Sequence, residues 1–267
     1  MLECVVNISE GRRSSVIDLI GRAGGDALVD IHADPDHHRA VLTLAGPDVE
    51  EAARAVTAAA VLALDLREHR GAHPRIGVVD VVPFVPLGDS VLADAVRARD
   101  AFAAWAAETL ALPCFLYGPE RTLPEIRRRA FTELAPDLGP ATPHPTAGAV
   151  AVGARPVLVA YNLWLEHADL DHARELARQL RCPAVRALGL AVGGRVQVSM
   201  NLLDPLAVGP AEVYDRVAAE TTVARAELVG LVPRAVLDAV DPGRRDELDL
   251  DPDRTIEARL EARGWTP

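Results

Sequence analysis

The chain has 267 residues, a formal net charge of −11 and an apolar fraction of 49%, which suffices for one large domain or two small ones with real cores. Its acidity argues against nucleic acid as a partner, because phosphate neutralisation needs a basic surface. All 28 Lys/Arg positions are arginine, which excludes Schiff-base lysines, pyridoxal-phosphate attachment and the P-loop lysine.

In chain order, Leu2–Ile8 reads as a strand and residues 12–23 as a helix. Residues 27–31 and 39–44 read as strands joined by a polar turn over 32–38. A helix is expected over 47–66, because the Pro47 ring suits a first helical position and Val49, Ala53, Val56, Ala60 and Ala63 recur at helical spacing. Residues 77–85 read as a strand buried on both faces. Val91, Ala95, Ala98, Phe102 and Trp105 stripe another helix, and 113–117 gives a further strand. The second half starts with a strand over 156–163 and a helix over 169–180, with Asp169 as its cap. A hairpin follows, 187–192 with Arg195–Leu202 around Gly193 and Gly194, then a helix over 210–225 and a strand over 227–232. Both halves read strand, helix, strand, strand, helix, strand. That order predicts an α/β (α+β) fold of two ferredoxin-like sandwich subdomains.

No apolar run is long enough to span a bilayer, and residues 1–10 lack the basic flank and apolar core of a signal peptide. Cys4, Cys114 and Cys182 are scattered and odd in number, which suits a reducing compartment. The expectation is a soluble, cytoplasmic protein.

Alternation over 196–202 sends Val196, Val198, Met200 and Leu202 to the helices and Gln197, Ser199 and Asn201 to the opposite face. Counting back from Pro205 and Pro47 makes Asn201 equivalent to Thr43, and Gln197 to Arg39. Each half then carries a polar row, read either as a solvated sheet face or as one wall of a wet cleft.

Four clusters carry candidate chemistry. The first is His32-Ala-Asp34-Pro-Asp36-His37-His38 with His69 and His73. It has the residue types of a divalent-metal site, but it matches no HExxH spacing, and Asp-rich turns are ordinary turn chemistry. The second is His73-Pro74-Arg75. Proline fixes its own φ and biases the preceding histidine toward extended backbone, and Gly77 permits close backbone approach. An imidazole and a guanidinium are thereby displayed at a strand entry, where the plain alternative is a surface histidine. The third is Gly139-Pro140-Ala-Thr142-Pro-His144-Pro-Thr146-Ala147-Gly148, a stiff ligand wall or an inter-domain linker. The fourth is Glu120-Arg121-Thr-Leu-Pro-Glu-Ile-Arg127-Arg128-Arg129, a dense positive spot read as a binding site or a charged surface helix.

The segments Glu3-Cys-Val-Val-Asn7-Ile-Ser9-Glu10-Gly11-Arg12, His73-Pro-Arg75-Ile-Gly77-Val-Val-Asp80-Val-Val-Pro-Phe-Val-Pro, Pro136-Asp137-Leu-Gly139-Pro140, Gly148 through Arg155, Gln197-Val-Ser199-Met-Asn201 and Val229-Gly230-Leu-Val-Pro233 resemble, in order, the glutamate formimidoyltransferase family. The resemblance implies two α/β subdomains, 1–156 and 157–267, with sheets facing across a substrate tunnel, the second ending in a charged tail and lacking a cyclodeaminase domain. It also implies a homodimer, formiminoglutamate as donor, tetrahydrofolate as acceptor and cofactor, histidine breakdown as the context, and no metal. The family's catalytic histidine falls on His73 and its folate-binding stretch on Gly139, Pro140, Thr142, His144, Thr146, Ala147 and Gly148. Asn7, Arg39, Arg75, Arg127, Arg155, Gln197, Ser199 and Asn201 are the candidates for substrate binding, arginine suiting bidentate carboxylate recognition.

Several positions depart from the family pattern. Asp30-Ile-His32 replaces an Asp-Val-Asp, which makes His32 a second candidate catalytic residue. His38-Arg39 replaces Asn-Arg, Ala72 replaces a glutamate, and Ile126 to Phe131 departs from Ile-Arg-Arg-Gly-Glu-Tyr. The alternatives are a folate-dependent transferase with another formyl or amidine donor, a folate- or anion-binding homologue without turnover, and a metal-dependent hydrolase built on His32 to His38.

Overall fold

The computed structural model describes residues 1–71 and 75–266. The chain divides into two compact units, Met1–Pro156 and Val157–Thr266. Each holds one sheet, of six strands in the first unit and four in the second.

In the first unit, β1 (Leu2–Ile8), β2 (Leu28–Asp34), β3 (Arg39–Gly46) and β4 (Val79–Pro86) lie in the order β2-β3-β1-β4. All neighbours in this group are antiparallel, the ferredoxin-like order expected from the sequence. Two parallel strands, β5 (Cys114–Tyr117) and β6 (Val150–Ala154), extend the β4 edge as β4-β6-β5. β4 is therefore central and buried on both sides, which explains its unbroken apolar run.

Helices α1 (Ser14–Arg22), α2 (Val49–Ala63) and α3 (Leu92–Leu110) cover one face. Cys4, Val6, Ile8, Leu42 and Leu44 meet Ile17, Ile20, Val56 and Phe102 in that core. α2 is shorter than expected at both ends. Asp48, the residue after Pro47, occupies its N-cap, with Glu50 and Glu51 in the first turn, where carboxylates favour the helix dipole. Its end comes at Ala63, and the Asp65 side chain accepts from the Arg67 amide to start a separate turn. A fourth helix, α4 (Leu123–Arg129), packs on the opposite face through Ile126, against Val81, Phe115 and Tyr117.

β2 also runs further than expected, through Asp34, so His32 is a strand residue and the turn spans only 35–38. The register Asp30↔Thr43, His32↔Val41 and Asp34↔Arg39 puts His32 on the same face as Arg39 and Thr43, because paired residues share a side.

The second unit repeats the plan with β7 (Val159–Leu165), α5 (Leu170–Leu180), β8 (Val185–Val192), β9 (Arg195–Leu202), α6 (Pro210–Ala218) and β10 (Val223–Val229), in the sheet order β10-β7-β9-β8. Asn162↔Ser199 matches Asn7↔Val41 in position. Val196, Val198, Met200 and Leu202 do pack into the helix-side core. α6 stops at Ala218 rather than 225, and β10 begins at Val223 rather than 227. The β-branched run Thr221-Thr222-Val223 favours extended backbone.

The charged segment after Pro233 is no tail. It forms α7 (Arg234–Asp238) and α8 (Ile256–Glu261) and sends Val240, Leu248 and Leu250 into the unit's core. The Tyr161 hydroxyl donates to the Leu248 carbonyl at 2.7 Å.

Candidate active site

β1 and β4 shift register between Asn7 and Ile8. Val79 and Val82 both reach the helix-side core, whereas Val81 joins the cluster under α4. The bulge therefore takes up one residue, Asp80, and turns it to the side away from α1–α3. Bulges commonly re-aim a side chain next to a functional site.

Asp80 is the organising group there. It is 2% exposed, and Arg127 of α4 donates to both its oxygens, at 3.1 and 2.6 Å. Arg39 lies 4.0 Å from the same carboxylate and donates through Nε to Asn7 Oδ1 at 2.9 Å, with a second, shorter bond from its terminal nitrogen. The Asn7 amide in turn donates to the Val5 carbonyl at 2.8 Å.

Arg75 completes the group electrostatically: burial lowers its pKa, Asp80 opposes that, and Arg127 adds to it. Burial likewise pushes Arg39 down to about 10, opposed by Asp80 and reinforced by Arg127 and Arg75. Three guanidiniums thus gather around one buried carboxylate. Grouped arginines suit charge-assisted bonds to carboxylates or phosphates.

Nearby, the Tyr117 phenol is pushed up to about 12 by burial, with Arg155 hydrogen-bonding it and acting in the other direction. Gly153 makes room for this ring, since a Cβ there would fall 2.1 Å from Tyr117 Cζ.

A second cluster sits at the hairpin tip. Asp34 accepts from the amides of Asp36 and His37, both at 2.8 Å, and meets His37 Nδ1 at 2.6 Å, so the acid-and-histidine turn is satisfied internally. Among the described residues no group of three or more His, Cys, Asp or Glu has an arrangement that holds a metal. Glu10 is 1% exposed. Its carboxylate accepts from the Arg12 and Arg13 amides at 2.8 and 3.0 Å and from Arg13 Nε at 2.5 Å, and it contacts His38 Nε2 at 3.1 Å. The His38 ring stacks on His69 with centroids 4.1 Å apart. His69 and Arg75, with Leu66, Arg70 and Gly71, line a depression of about 370 Å³.

The pH response of this cluster has a definite sign. Burial alone would raise the Glu10 pKa, but the Arg13 and Arg12 amides and the Arg13 guanidinium outweigh it and hold Glu10 at about 2, against an ordinary 4.5. Burial also opposes ionisation of Asp34, which His37 nevertheless holds at about 2. His69 is pushed down from 6.5 to about 4, by burial first and then by Arg75 and His38. A depressed carboxylate stabilises the fold above its unfolded pKa, and that stabilisation is lost as pH falls through its folded one. A histidine that resists protonation in the fold costs stability as pH falls over the window between 6.5 and 4. The urea midpoint is therefore expected to fall from about pH 6.5 downward. In Glu10→Gln the part of the fall below pH 4.5 should shrink; an unchanged acid limb in that variant would contradict the assignment.

Not all the residues singled out from the sequence come together. Asn7, Arg39, Arg75 and Arg127 gather at Asp80, and Arg155 pairs with Tyr117. His73, Ala72 and Pro74 lie outside the described residues. The 139–148 stretch divides. The His144 backbone N–H donates to the Gly148 carbonyl at 2.7 Å, and His144 Nδ1 accepts from the Ala147 amide at 3.0 Å. The Thr146 carbonyl accepts from Leu66 and the Ala147 carbonyl from Val78. Gly77, where a Cβ would lie 2.0 Å from the Ala149 carbonyl oxygen, is bridged to Gly148. Residues 144–148 are thus built into the first unit beside the 76–78 segment and do not act as a linker. Gly139 instead packs on Leu112, and Pro140 and Thr142 are exposed.

Gln197 is buried, Ser199 half-buried and Asn201 exposed, all on β9 of the second unit. Asn162 and Trp164 of β7 both donate to Glu227, at 3.2 and 2.8 Å, and Arg195 and Arg225 lie over the Trp164 ring at 4.7 and 4.9 Å.

Two site residues escape a reading of the sequence, Asp80 and Glu10; His38 and His69 belong to its first cluster, but their stacking on one another is not among its readings. Asp80 does carry a signal, being the lone charge in the apolar run 78–82.

The first unit is thus a ferredoxin-like α/β unit with arginines grouped around one buried acid, beside paired histidines. Residues 1–155 match the N-terminal subdomain of the formiminotransferase domain. The chain is 33% identical over 275 residues to the glutamate formimidoyltransferase of Streptococcus pyogenes serotype M1, covering 90% of this chain and 92% of that protein. It is 32% identical over 273 residues to the glutamate formimidoyltransferase of Thermoplasma acidophilum, covering 89% of each. With the formimidoyltransferase-cyclodeaminase of Sus scrofa it shares 35% over 279 residues, 90% of this chain but 51% of that protein. The chain therefore spans about half the length of the relatives of that name, and it belongs to the formiminotransferase family.

Proposed function

We propose that this chain is a glutamate formimidoyltransferase, moving the formimino group of N-formimino-L-glutamate to N5 of tetrahydrofolate. The observation that carries the reading is the arginine group of Arg39, Arg75 and Arg127 around Asp80, in a chain of this family. Both substrates end in carboxylates, and each charge-assisted bond contributes about 1.5–3 kcal/mol, enough to hold one end of an anion.

In the reaction N5 attacks the formimino carbon, the bond from that carbon to the glutamate nitrogen breaks, and one proton passes from N5 to the departing nitrogen. An imidazole titrating near neutrality is suited to accept and return it; His73 is the candidate by resemblance. The stiff 144–148 loop, joined to residues 66 and 76–78, is the proposed wall for the pterin. Gln197, Ser199 and Asn201 are proposed as further substrate contacts on the second sheet. A cytoplasmic homodimer acting in histidine breakdown, with no metal requirement, belongs to the same reading. No helix among the described residues is long and apolar enough to cross a membrane.

Formation of 5-formimidoyltetrahydrofolate from the two substrates tests the proposal, and its absence with formiminoglutamate would end it; formiminoglycine and formiminoaspartate, which would give the same product, and formylglutamate, which would give the 5-formyl one, test other donors. A donor other than formiminoglutamate is the second reading, favoured by His32 on the Arg39 face of the sheet, where the family pattern has an acid. His32→Asp is expected to preserve or raise transfer from formiminoglutamate, measured as kcat/KM. Complete loss in that variant would assign His32 a chemical role of its own.

A further inference from the structure

The residues on either side of 72–74 are tied to one place, the tip of the β2–β3 hairpin. On the amino-terminal side the His69 ring stacks on His38, 13° from parallel. Gly71 is so close that a Cβ would lie 2.8 Å from the His37 carbonyl oxygen and 2.8 Å from His69 Nε2. On the carboxy-terminal side Arg75 donates to the carbonyls of His37 and His38, each at 3.4 Å, and the Ile76 amide donates to Asp80 at 2.9 Å.

His38 is itself braced. Its Nε2 meets the Glu10 carboxylate, which the Arg12 and Arg13 amides fix in turn. Its backbone has φ 54°, the left-handed region that histidine enters more readily than most residues. One residue thus offers its ring to His69 and its carbonyl to Arg75.

We propose that His38 is a positioning residue that clamps His69, Gly71 and Arg75, the described residues flanking the proposed acid–base histidine, to the hairpin tip. The proposal rests on the reading of His73 as the acid–base group, but the clamp is observable without it.

Stacking suits two neutral rings. His38 Nδ1 and His69 Nε2 are buried without hydrogen-bond partners among the described residues, so a proton added at either nitrogen would find no acceptor there. The described charged groups acting on the pair are Glu10, Arg12 and Arg75. Two of the three are cations, and Arg75 is the group the clamp must keep close. The hairpin tip is therefore a better anchor with both rings neutral.

The test compares His38→Ala, His38→Asn and His69→Ala in the full chain, reading amide hydrogen exchange over residues 66–76 together with kcat and KM. Asparagine tolerates the left-handed backbone and still offers Glu10 an N–H. The alanine variants are expected to exchange at least about 10-fold faster in that stretch and to lose up to about 100-fold in kcat, the scale of a small misplacement of a catalytic group. KM should move little, and His38→Asn should restore both protection and turnover. His69 has an ordinary backbone, φ −75°, so His69→Ala carries the test if His38→Ala does not fold. Unchanged exchange in the alanine variants overturns the clamp. Faster exchange with turnover intact upholds the clamp and removes His73 from the chemistry.

Discussion

Replacing His73 with alanine is expected to lower turnover about 10²- to 10⁴-fold, the range for a lost general acid–base group, while tetrahydrofolate affinity stays within a few-fold. The asymmetry follows from the chemistry. Attack by N5 and departure of the glutamate nitrogen each move a proton, so losing the shuttle raises the barrier without removing a binding surface. The groups proposed to bind are other residues: the arginines lie around Asp80, and the 144–148 loop is held by backbone bonds to Leu66 and Val78. Steady-state kinetics with both substrates, paired with direct titration of the acceptor, separates the two effects. Wild-type turnover in the variant would mean that another group carries the proton. The neighbouring histidines are poor substitutes, since His69 is held at about 4 by burial, Arg75 and His38 and stays neutral at working pH.

Asp80→Asn is expected to destabilise the first unit by about 3 kcal/mol, the cost of leaving buried charge uncompensated. Shape is nearly conserved, and the amide oxygen can still accept from Ile76. What disappears is the negative charge that Arg127 clasps with two bonds and Arg39 approaches at 4.0 Å. Adding Arg127→Leu should recover much of the loss, because one surplus cation leaves with it, and the coupling between the two changes would appear as strong non-additivity. Urea midpoints of the single and double variants give the answer. Additive losses would show that the Asp80–Arg127 contact contributes little and that the bulge orients Asp80 for some other reason.

How much of this is legible in the residues varies by element. The repeated order of strands and helices is readable because burial on one face imposes period two on strands and near 3.6 on helices, and this chain keeps both patterns in both halves. Element ends are less so. The end of α2 is followed at once by Asp65 capturing the Arg67 amide, and the extension of β2 through Asp34 depends on pairing with Arg39. Neither is set by the period of apolar residues that marks the body of the element. β5 is expected as a strand over 113–117, but β6 and the parallel pairing β4-β6-β5 escape the reading, because β6 joins strands that are remote from it in sequence. The chemistry divides in the same way. Composition marks arginine as the sole long cation, and the family motifs mark Asn7, His73 and Arg75.

The sequence by itself determined the duplicated ferredoxin-like plan, the absence of lysine chemistry and the family, since periodicity, composition and ordered motifs are properties of the chain alone. Only the tertiary structure decided which charges meet. A bulge between Asn7 and Ile8 turned Asp80 toward Arg39 and Arg127, residues 41 positions before and 47 after it, and the hairpin tip brought His38 onto His69. Electrostatic partnership falls off over a few ångströms in space, and separation along the chain says nothing about that distance until the strands have paired.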